Sequence, residues 1–446
     1  MARTLGREAI STRQEKIARV AQREPKWVLT TLAHHIDEGW LREAYRRTRK
    51  DGAAGVDGVT AAHYEADLEA NLKSLLERFK SGRYRAPAVR RVHIPKPGQA
   101  KKRRPIGIPT LEDKVLQRAV TMVLEPIYEQ DFWDCWYGFR PGRSAHQALE
   151  ALWRGLMDMG GGWIIDLDIQ SFFDEIDWDH LRSFLDQRVR DGVIRRAIGK
   201  WLHAAVMEAG QVHHPDRGSP QGGVVSPILS NLYLHYVLDE WFEHEVKPRL
   251  RGRAFEIRYA DDAALVFQRE EDARRVLAVL AKRFEKYGLR LHPEKTRLVD
   301  CRSPPRAGQS GTQRDRSFAL LGFTHFWGRS RKGRWVVQRQ TAKERFTRAL
   351  RRVGEWCRVH RHRPVREQHA SLSRKLNGHY AYYGITGNAR ALSRFHHEVR
   401  RLWCKWLGRR SWHAGMNWEK FARLSARYRL PPPRVVHSVY RYAANP

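Results

Sequence analysis

Apolar residues along this chain of 446 residues fall into stretches of two periods, and the order of those periods sketches a fold. From the start to about residue 50 the spacing is helical, through Ile17, Val20, Trp27, Val28, Leu32, Ile36, Trp40, Leu41 and Tyr45. Many bases lie between them, so a helical N-terminal extension is predicted. Leu111 to Tyr128 is amphipathic in the same way, with Val115, Leu116, Ala119, Val120, Val123, Leu124 and Ile127 on its stripe. Trp163-Ile-Ile-Asp-Leu-Asp168 is a β-prone run, and a helix is expected from about Trp178 to Val189. Phe255 to Phe267 reads as two short apolar strands around Asp261 and Asp262, the tight turn of a hairpin. A helix from Glu271 to Tyr287 follows, carrying Ala273, Val276, Leu277, Leu280 and Phe284 on one face, with Gly288 as its stop and a strand at Leu289-Arg-Leu291 after it. Strand, helix, hairpin, helix, strand is the ferredoxin-like order, a mostly antiparallel sheet backed by two helices. Helical spacing returns late in the chain (Phe346, Leu350, Val353; Leu392, Phe395, Val399, Leu402, Trp403, Trp406), which predicts an all-α C-terminal domain and an α+β fold class overall.

Composition narrows the class of partner. With 41% hydrophobic residues the chain can build real cores and is long enough for two or three domains. Its formal net charge of +34 is far more than solubility needs, so a polyanionic partner, nucleic acid first, is the economical reading. A membrane surface is the rival. No run approaches ~18 consecutive apolar residues, and the N-terminus Met1-Ala-Arg-Thr-Leu-Gly-Arg7 lacks the apolar segment of a signal peptide.

The charge is unevenly placed. From Arg331 to Pro446 there are 28 Lys and Arg against 5 Asp and Glu, and aromatics such as Tyr380, Tyr382, Trp403, Trp406 and Trp412 lie among those bases. That mixture suits structured RNA, with phosphates to neutralise and bases to stack. Cys135, Cys301, Cys357 and Cys404 form no pair at zinc-ligand spacing, which argues for a reducing, cytoplasmic setting and against a zinc module or disulfide framework. The histidine pairs His34-His35, His213-His214 and His396-His397 belong to no metalloprotease-type pattern and read as surface or RNA-contacting residues.

Candidate chemistry begins with carboxylates. Asp261 and Asp262 repel each other at a loop tip, and a divalent cation preferring hard oxygen ligands would supply the counter-charge; an ordinary solvated Asp turn is the plain alternative. A second acidic strand end, at Asp168, changes the balance. Three carboxylates from two strands suit two magnesium ions clamping the attacking and leaving oxygens of phosphoryl transfer. Asp166 and Asp168 share strand parity, so periodicity cannot choose between them. Other stretches are polar and basic. Asp51-Gly-Ala-Ala-Gly-Val-Asp-Gly-Val-Thr60 is Gly-rich but lacks the Gly-Lys-Ser/Thr ending of a P-loop. Val89 to Lys96, a turn at Pro97-Gly98 and Lys101 to Ile108 make a basic hairpin suited to a triphosphate. In Tyr137-Gly-Phe-Arg-Pro-Gly-Arg143, Arg140 and Arg143 are candidates to grip a template backbone. Arg217 to Tyr233 is a Gly-rich loop running into a helix, open to close backbone approach. Residues 302–316 are a Pro/Gly/Ser-rich connector.

Tyr-Ala-Asp-Asp at 259–262, preceded by Asp168-Ile-x-x-Phe-Phe173, resembles a reverse transcriptase, and more narrowly the reverse transcriptase and maturase proteins encoded by group II introns. The likeness runs from about Tyr45 to His437 and includes Tyr137 to Ser144, the Pro-Gln-Gly loop, Phe318-Ala-Leu-Leu-Gly-Phe323, and Leu376-Asn-Gly-His-Tyr-Ala-Tyr-Tyr-Gly384. It implies a right-hand polymerase. Residues 1–50 would be an N-terminal extension, 51–162 fingers, 163–330 a palm interleaved with them and ending in a primer grip, and 331–446 thumb and maturase domain. No cysteine-paired nuclease follows, which resembles the lineage without an endonuclease.

The resemblance also implies roles. Asp168, Asp261 and Asp262, with Ile169 beside the first, would hold two Mg2+ ions, or Mn2+ in their place. The aromatic that checks the sugar stands five residues after the metal Asp, which selects Asp168 and makes Phe173 the gate against a 2′-hydroxyl. Lys96 and Arg104 would meet the incoming dNTP, Gln221 would support the templating pair, and Lys295 would protonate the departing pyrophosphate. RNA contacts are expected from Arg140, Arg143, Tyr380, Tyr382, Arg400, Arg401 and Lys405. Implied partners are intron and template RNA, a DNA target and primer, and dNTPs, with no membrane. A domesticated or defence-associated reverse transcriptase, or a splicing-only RNA-binding maturase, is the alternative; the intact acids speak against the last.

Overall fold

The computed structural model describes residues 2–96, 99–219, 221–302, 316–330, 332–410 and 415–438, with the side chains of 2–9, 96 and 99–102 outside that description. The Pro97-Gly98 turn, Pro220, most of the 302–316 connector and Trp412 therefore lie outside the described residues. The chain divides into two compact units, 1–144 with 167–297, and 145–166 with 298–446.

In the first unit the N-terminal segment is helical as its spacing predicts, over Ala2–Arg23 and Glu38–Arg47. Asp37 caps the second of these by accepting from the Trp40 backbone N–H. The fully buried Trp40 donates its indole N–H to the Ala119 carbonyl at 2.9 Å. That bond fixes the extension to the long helix Leu111–Asp131, itself capped by Thr110 with Glu112 and Asp113 in its first turn.

The basic hairpin forms from Val89–Lys96 and Gln99–Ile108, antiparallel, with Arg104 opposite Ile94. Its base extends into a four-stranded sheet, because Val89 and Arg90 pair in parallel with Val206 and Met207, and Val206–Glu208 in turn pairs with Gln211–His213. The Asp51–Thr60 stretch is loop. A Cβ on Gly55 would stand 2.6 Å from the Thr110 Cα, so its glycine serves close packing.

The helix expected over 178–189 stops at Asp186, and a second one, Gly192–Leu202, begins after a short connection, where Asp191 caps it. The carboxylate hairpin is Ala254–Tyr259 with Asp262–Phe267, Tyr259 opposite Asp262. The helix after it is Glu270–Lys286. The strand expected at Leu289-Arg-Leu291 is not formed: Leu291 makes one isolated bridge, to Ile169, and the strand comes later, at Arg297–Asp300. Pro293, which has no N–H to give a ladder, and the turns around it account for the delay.

The second unit holds the helix Ala145–Met159 and the strand Trp163–Leu167, whose last residue enters the first unit. It also has a three-stranded antiparallel sheet, with Phe323–Arg329 between Phe318–Leu320 and Trp335–Thr341. The Trp153 indole N–H donates to the Val337 carbonyl at 2.8 Å and fixes the first helix to that sheet. Four helices follow: Lys343–Val359, Val365–Tyr383, Ala389–Leu407 and Trp418–Arg427. Their apolar stripes meet in one core of Leu372, Leu376, Phe395, Val399, Trp403 and Phe421, the helical domain that the late spacing predicts. Among the described residues no helix is long and apolar enough to cross a membrane.

Candidate active site

The two-residue turn Ala260-Asp261 carries the carboxylates, with Ala260 in the left-handed region at φ 58°. Asp262 opens the second strand and is exposed, whereas Asp261 lies half-buried beside it. Burial raises the Asp261 carboxyl above its ordinary range; its own backbone N–H and the charges of Arg104 and Lys295 oppose the rise, and Asp168 adds to it. Two acids from separate parts of the chain are thus close enough to feel each other's charge.

Asp168 stands directly after its strand and is held by the turn that follows Leu291. The His292 N–H donates to the Asp168 carbonyl at 2.8 Å. The Thr296 hydroxyl accepts from the Asp168 N–H at 3.2 Å and donates to its carbonyl at 3.1 Å. Lys295 reaches both carboxylate oxygens of Asp168 at 3.0 Å. Ile169 is buried and bridged to Leu291, which fixes the backbone beside the acid. Carboxylates are the hard oxygen donors that magnesium and manganese take. The mutual repulsion of Asp168 and Asp261 is the electrostatic condition that a divalent cation relieves, so this donor set fits such an ion.

Nucleotide-site candidates gather on the same unit. Arg104 donates from Nε to the Gln221 side-chain oxygen at 2.8 Å, and the Gly107 N–H donates to the Gln221 carbonyl at 2.6 Å. The strand of the basic hairpin is thereby joined to the Pro-Gln-Gly loop. Phe173 lies half-buried on the short helix Phe172–Glu175, and its carbonyl accepts from the Ser219 N–H at 2.7 Å. A Cβ on Gly218 would stand 2.9 Å from that same carbonyl oxygen, at a backbone φ of 87°, so only glycine fits where the loop crosses Phe173. A cleft of about 370 Å3 opens here, lined by Arg91, Gly107, Asp174, Arg217, Ser219 and Gln221. Lys96 is opposite Gln99 in the hairpin; its side chain lies outside the described residues.

The expected RNA contacts divide. Arg140 is a correction. Its side chain is 4% exposed and pairs with Glu129 while donating to the carbonyls of Trp133 and Trp136, so it braces its own loop and offers no surface to a template. Tyr380 is likewise fully buried in the helical core, its hydroxyl donating to the Pro431 carbonyl. Tyr382 is half-buried and donates to the Leu321 carbonyl at 2.8 Å. Arg143 pairs with the exposed Asp134 and lies 5.5 Å from the Tyr137 ring centroid. Arg401 and Lys405 are exposed on the helix Ala389–Leu407, the former beside Glu398 and the latter by Trp406, and Arg400 is half-buried near Phe421. Sequence reading passed over Thr296, whose place directly after Lys295 was the available signal, and Arg258, whose residue type and spacing carried none.

Residues 94–325 match a family model described as reverse transcriptase (RNA-dependent DNA polymerase). The chain is 34% identical over 329 residues to protein YkfC of Escherichia coli (strain K12), a match covering 65% of this chain and 84% of YkfC. It is 33% identical over 281 residues to the group II intron-encoded protein LtrA of Lactococcus lactis subsp. cremoris, covering 60% of this chain and 45% of LtrA. An uncharacterized 91 kDa protein in the cob intron of Schizosaccharomyces pombe is 36% identical over 173 residues, 39% of this chain and 21% of its own length. The match thus spans less than half of LtrA and a larger share of YkfC.

Proposed function

We propose that this chain, which belongs to the reverse transcriptase (RNA-dependent DNA polymerase) family, extends a primer at the cluster of Asp168, Asp261 and Asp262. It is an RNA-directed DNA polymerase. The observation that carries the site reading is the convergence of Asp168 and Asp261 with Lys295 and Arg104. The family's chemistry uses divalent metal ions. In our reading the three acids, with Ile169 beside them, hold two magnesium ions, manganese substituting. Bound there, such ions neutralise charge on the attacking and leaving oxygens of an in-line displacement.

The chain's own residues do the rest. Arg104 and Lys96 neutralise the triphosphate of the incoming dNTP. Gln221, oriented by Arg104, supports the templating pair, and Phe173 packs where a 2′-hydroxyl would stand. Lys295 lies beside the Asp168 carboxylate, in reach of a pyrophosphate leaving that cluster, and supplies its proton. The palm of a right-hand polymerase is our assignment for the β-α-β-β-α-β series, the basic hairpin belonging to the fingers and the C-terminal helices to thumb and maturase domain.

We further propose that the protein serves a group II intron, binding its RNA to assist splicing and mobility in a cytoplasmic setting. Likeness to LtrA and to proteins named for introns supports this, as does the excess of bases after residue 331. The test pairs primer extension with filter binding on one preparation of Asp262→Asn. DNA synthesis is expected to vanish while RNA affinity holds within a few fold, and full extension by the variant would remove the metal assignment.

A further inference from the structure

We infer that Arg258 is a positioning residue for the polymerase reaction: buried behind the carboxylate turn, it fixes the Ala260 carbonyl and with it the placement of Asp261 and Asp262. The inference rests on the reading that those acids hold the metal ions. Arg258 is fully buried. Its Nε donates to Asp239 at 2.7 Å and one terminal nitrogen donates to the other oxygen of the same carboxylate, also fully buried. The second terminal nitrogen is left to donate to the Ala260 carbonyl at 3.2 Å. The Trp136 ring centroid lies 4.6 Å from the guanidinium, which restricts the group to one plane.

Backbone bonds secure the same place. The Arg258 N–H donates to the Cys135 carbonyl and the Tyr137 N–H to the Arg258 carbonyl, both at 2.9 Å. Gly138 also packs on the turn, since a Cβ there would lie 2.3 Å from the Ala260 nitrogen and 2.9 Å from the Tyr259 carbonyl carbon. Asn231, buried, holds the Gly138 carbonyl through its amide at 3.1 Å. Ala260 is a non-glycine residue in the left-handed region, a conformation that persists only when its surroundings over-determine it. Arg258 and Gly138 are those surroundings. The Tyr-Gly-Phe-Arg loop and the Arg258 side chain thus both hold the turn that carries the acids.

Glu256 and Cys135 also lie within 4.8 Å of Asp239. Burial raises the Glu256 carboxyl far above its ordinary range, and it is the Asp239 carboxylate that takes both guanidinium bonds. A lysine would keep that charge but not the fork that spans a carboxylate and a carbonyl together.

Arg258→Lys and Gly138→Ala in the full chain test this, with Asp262→Asn beside them. The measurements are single-nucleotide extension, Mn2+ binding by electron paramagnetic resonance without substrate, and thermal melting. Both clamp variants are expected to lose kcat by about 100-fold, the cost of a ~1 Å misplacement, to bind Mn2+ at least ~10-fold more weakly, to keep the KM for dNTP near wild type, and to melt cooperatively at a midpoint lowered but still above the assay temperature. A folded Arg258→Lys with wild-type kcat and Mn2+ affinity overturns the inference. If that variant does not fold, Gly138→Ala decides by the same readouts, because it leaves the buried Arg258–Asp239 pair in place. Loss of the fold in both assigns the clamp to general stability and equally overturns it. Extension by Asp262→Asn at the wild-type rate would instead sink the metal assignment.

Discussion

Replacing Asp113 by asparagine should change stability in a way that depends on pH. Asp113 is buried near the start of the helix Leu111–Asp131 and accepts from the Tyr84 hydroxyl, from Trp201 Nε1 at 2.7 Å and from Gln117 Nε2 at 3.1 Å. Burial nonetheless raises its carboxyl from an ordinary 3.8 to about 6. The folded chain then holds this proton more tightly than the unfolded chain. Its favourable contribution is complete below about 3.8 and is lost as pH rises through about 6. At ~1.36 kcal/mol per tenfold step the interval amounts to about 3 kcal/mol.

An asparagine does not titrate, and its amide N–H faces the donating Gln117 amide, at a cost of about 1–3 kcal/mol. The variant should therefore be clearly less stable than wild type at pH 4 and close to it, or above it, at pH 8. Paired urea titrations followed by tryptophan emission read the difference at each pH. A difference constant from pH 4 to pH 8 would refute the argument. Function should register the change too, because the Gln117 side-chain oxygen accepts from the N–H groups of Val224 and Val225 at 2.7 and 3.2 Å, just past Gln221. A displaced Gln117 should raise the KM for dNTP.

Phe173→Ala is expected to admit ribonucleotides, lowering the ratio of kcat/KM for dNTP over rNTP; an unaltered ratio would place the gate elsewhere. Lys295→Met should lower kcat by ~10²–10⁴-fold, the usual range for a missing general acid, with the KM for dNTP little changed; an unchanged kcat would leave Lys295 only its ion pair with Asp168. Charge reversal at Arg400, Arg401 and Lys405 should flatten the salt dependence of RNA affinity by ~0.7 to 0.9 for each phosphate no longer neutralised and impair splicing of the parent intron. Wild-type slope and splicing, with circular dichroism intact, would clear that helix face of a role.

What was legible in the sequence follows from what each signal measures. Apolar period placed the helices Leu111–Asp131 and Glu270–Lys286 and the carboxylate hairpin to within three residues, because a buried stripe reports directly on the face it covers. It misplaced the strand around Leu291, where a proline nearby outweighs the alternating apolar positions. Arg140 and Tyr380 looked like ligands of RNA because residue type says nothing of burial: the first is neutralised by Glu129, eleven residues upstream, and the second fills a core built by three other helices. Arg258 was invisible for the opposite reason. Its partner Asp239 lies nineteen residues earlier on a π-helical turn, and no periodicity relates the two.

The register of the basic hairpin bears on how this chain can vary in length. Side chains along a strand alternate between two faces, so only every second residue of Gln99–Ile108 can turn toward Gln221, and Arg104 has that face while Arg103 has the other. Arg104 is held from its C-terminal side, where the Gly107 N–H bonds the Gln221 carbonyl, so one residue inserted between Arg104 and Gly107 would turn Arg104 to the other face. Insertion of two there would return Arg104 to the same face, displaced along the strand. Length changes between Arg104 and Gly107 should thus be tolerated by parity, a rule that an insertion series of one, two, three and four residues would expose as alternating loss and partial recovery of nucleotide affinity.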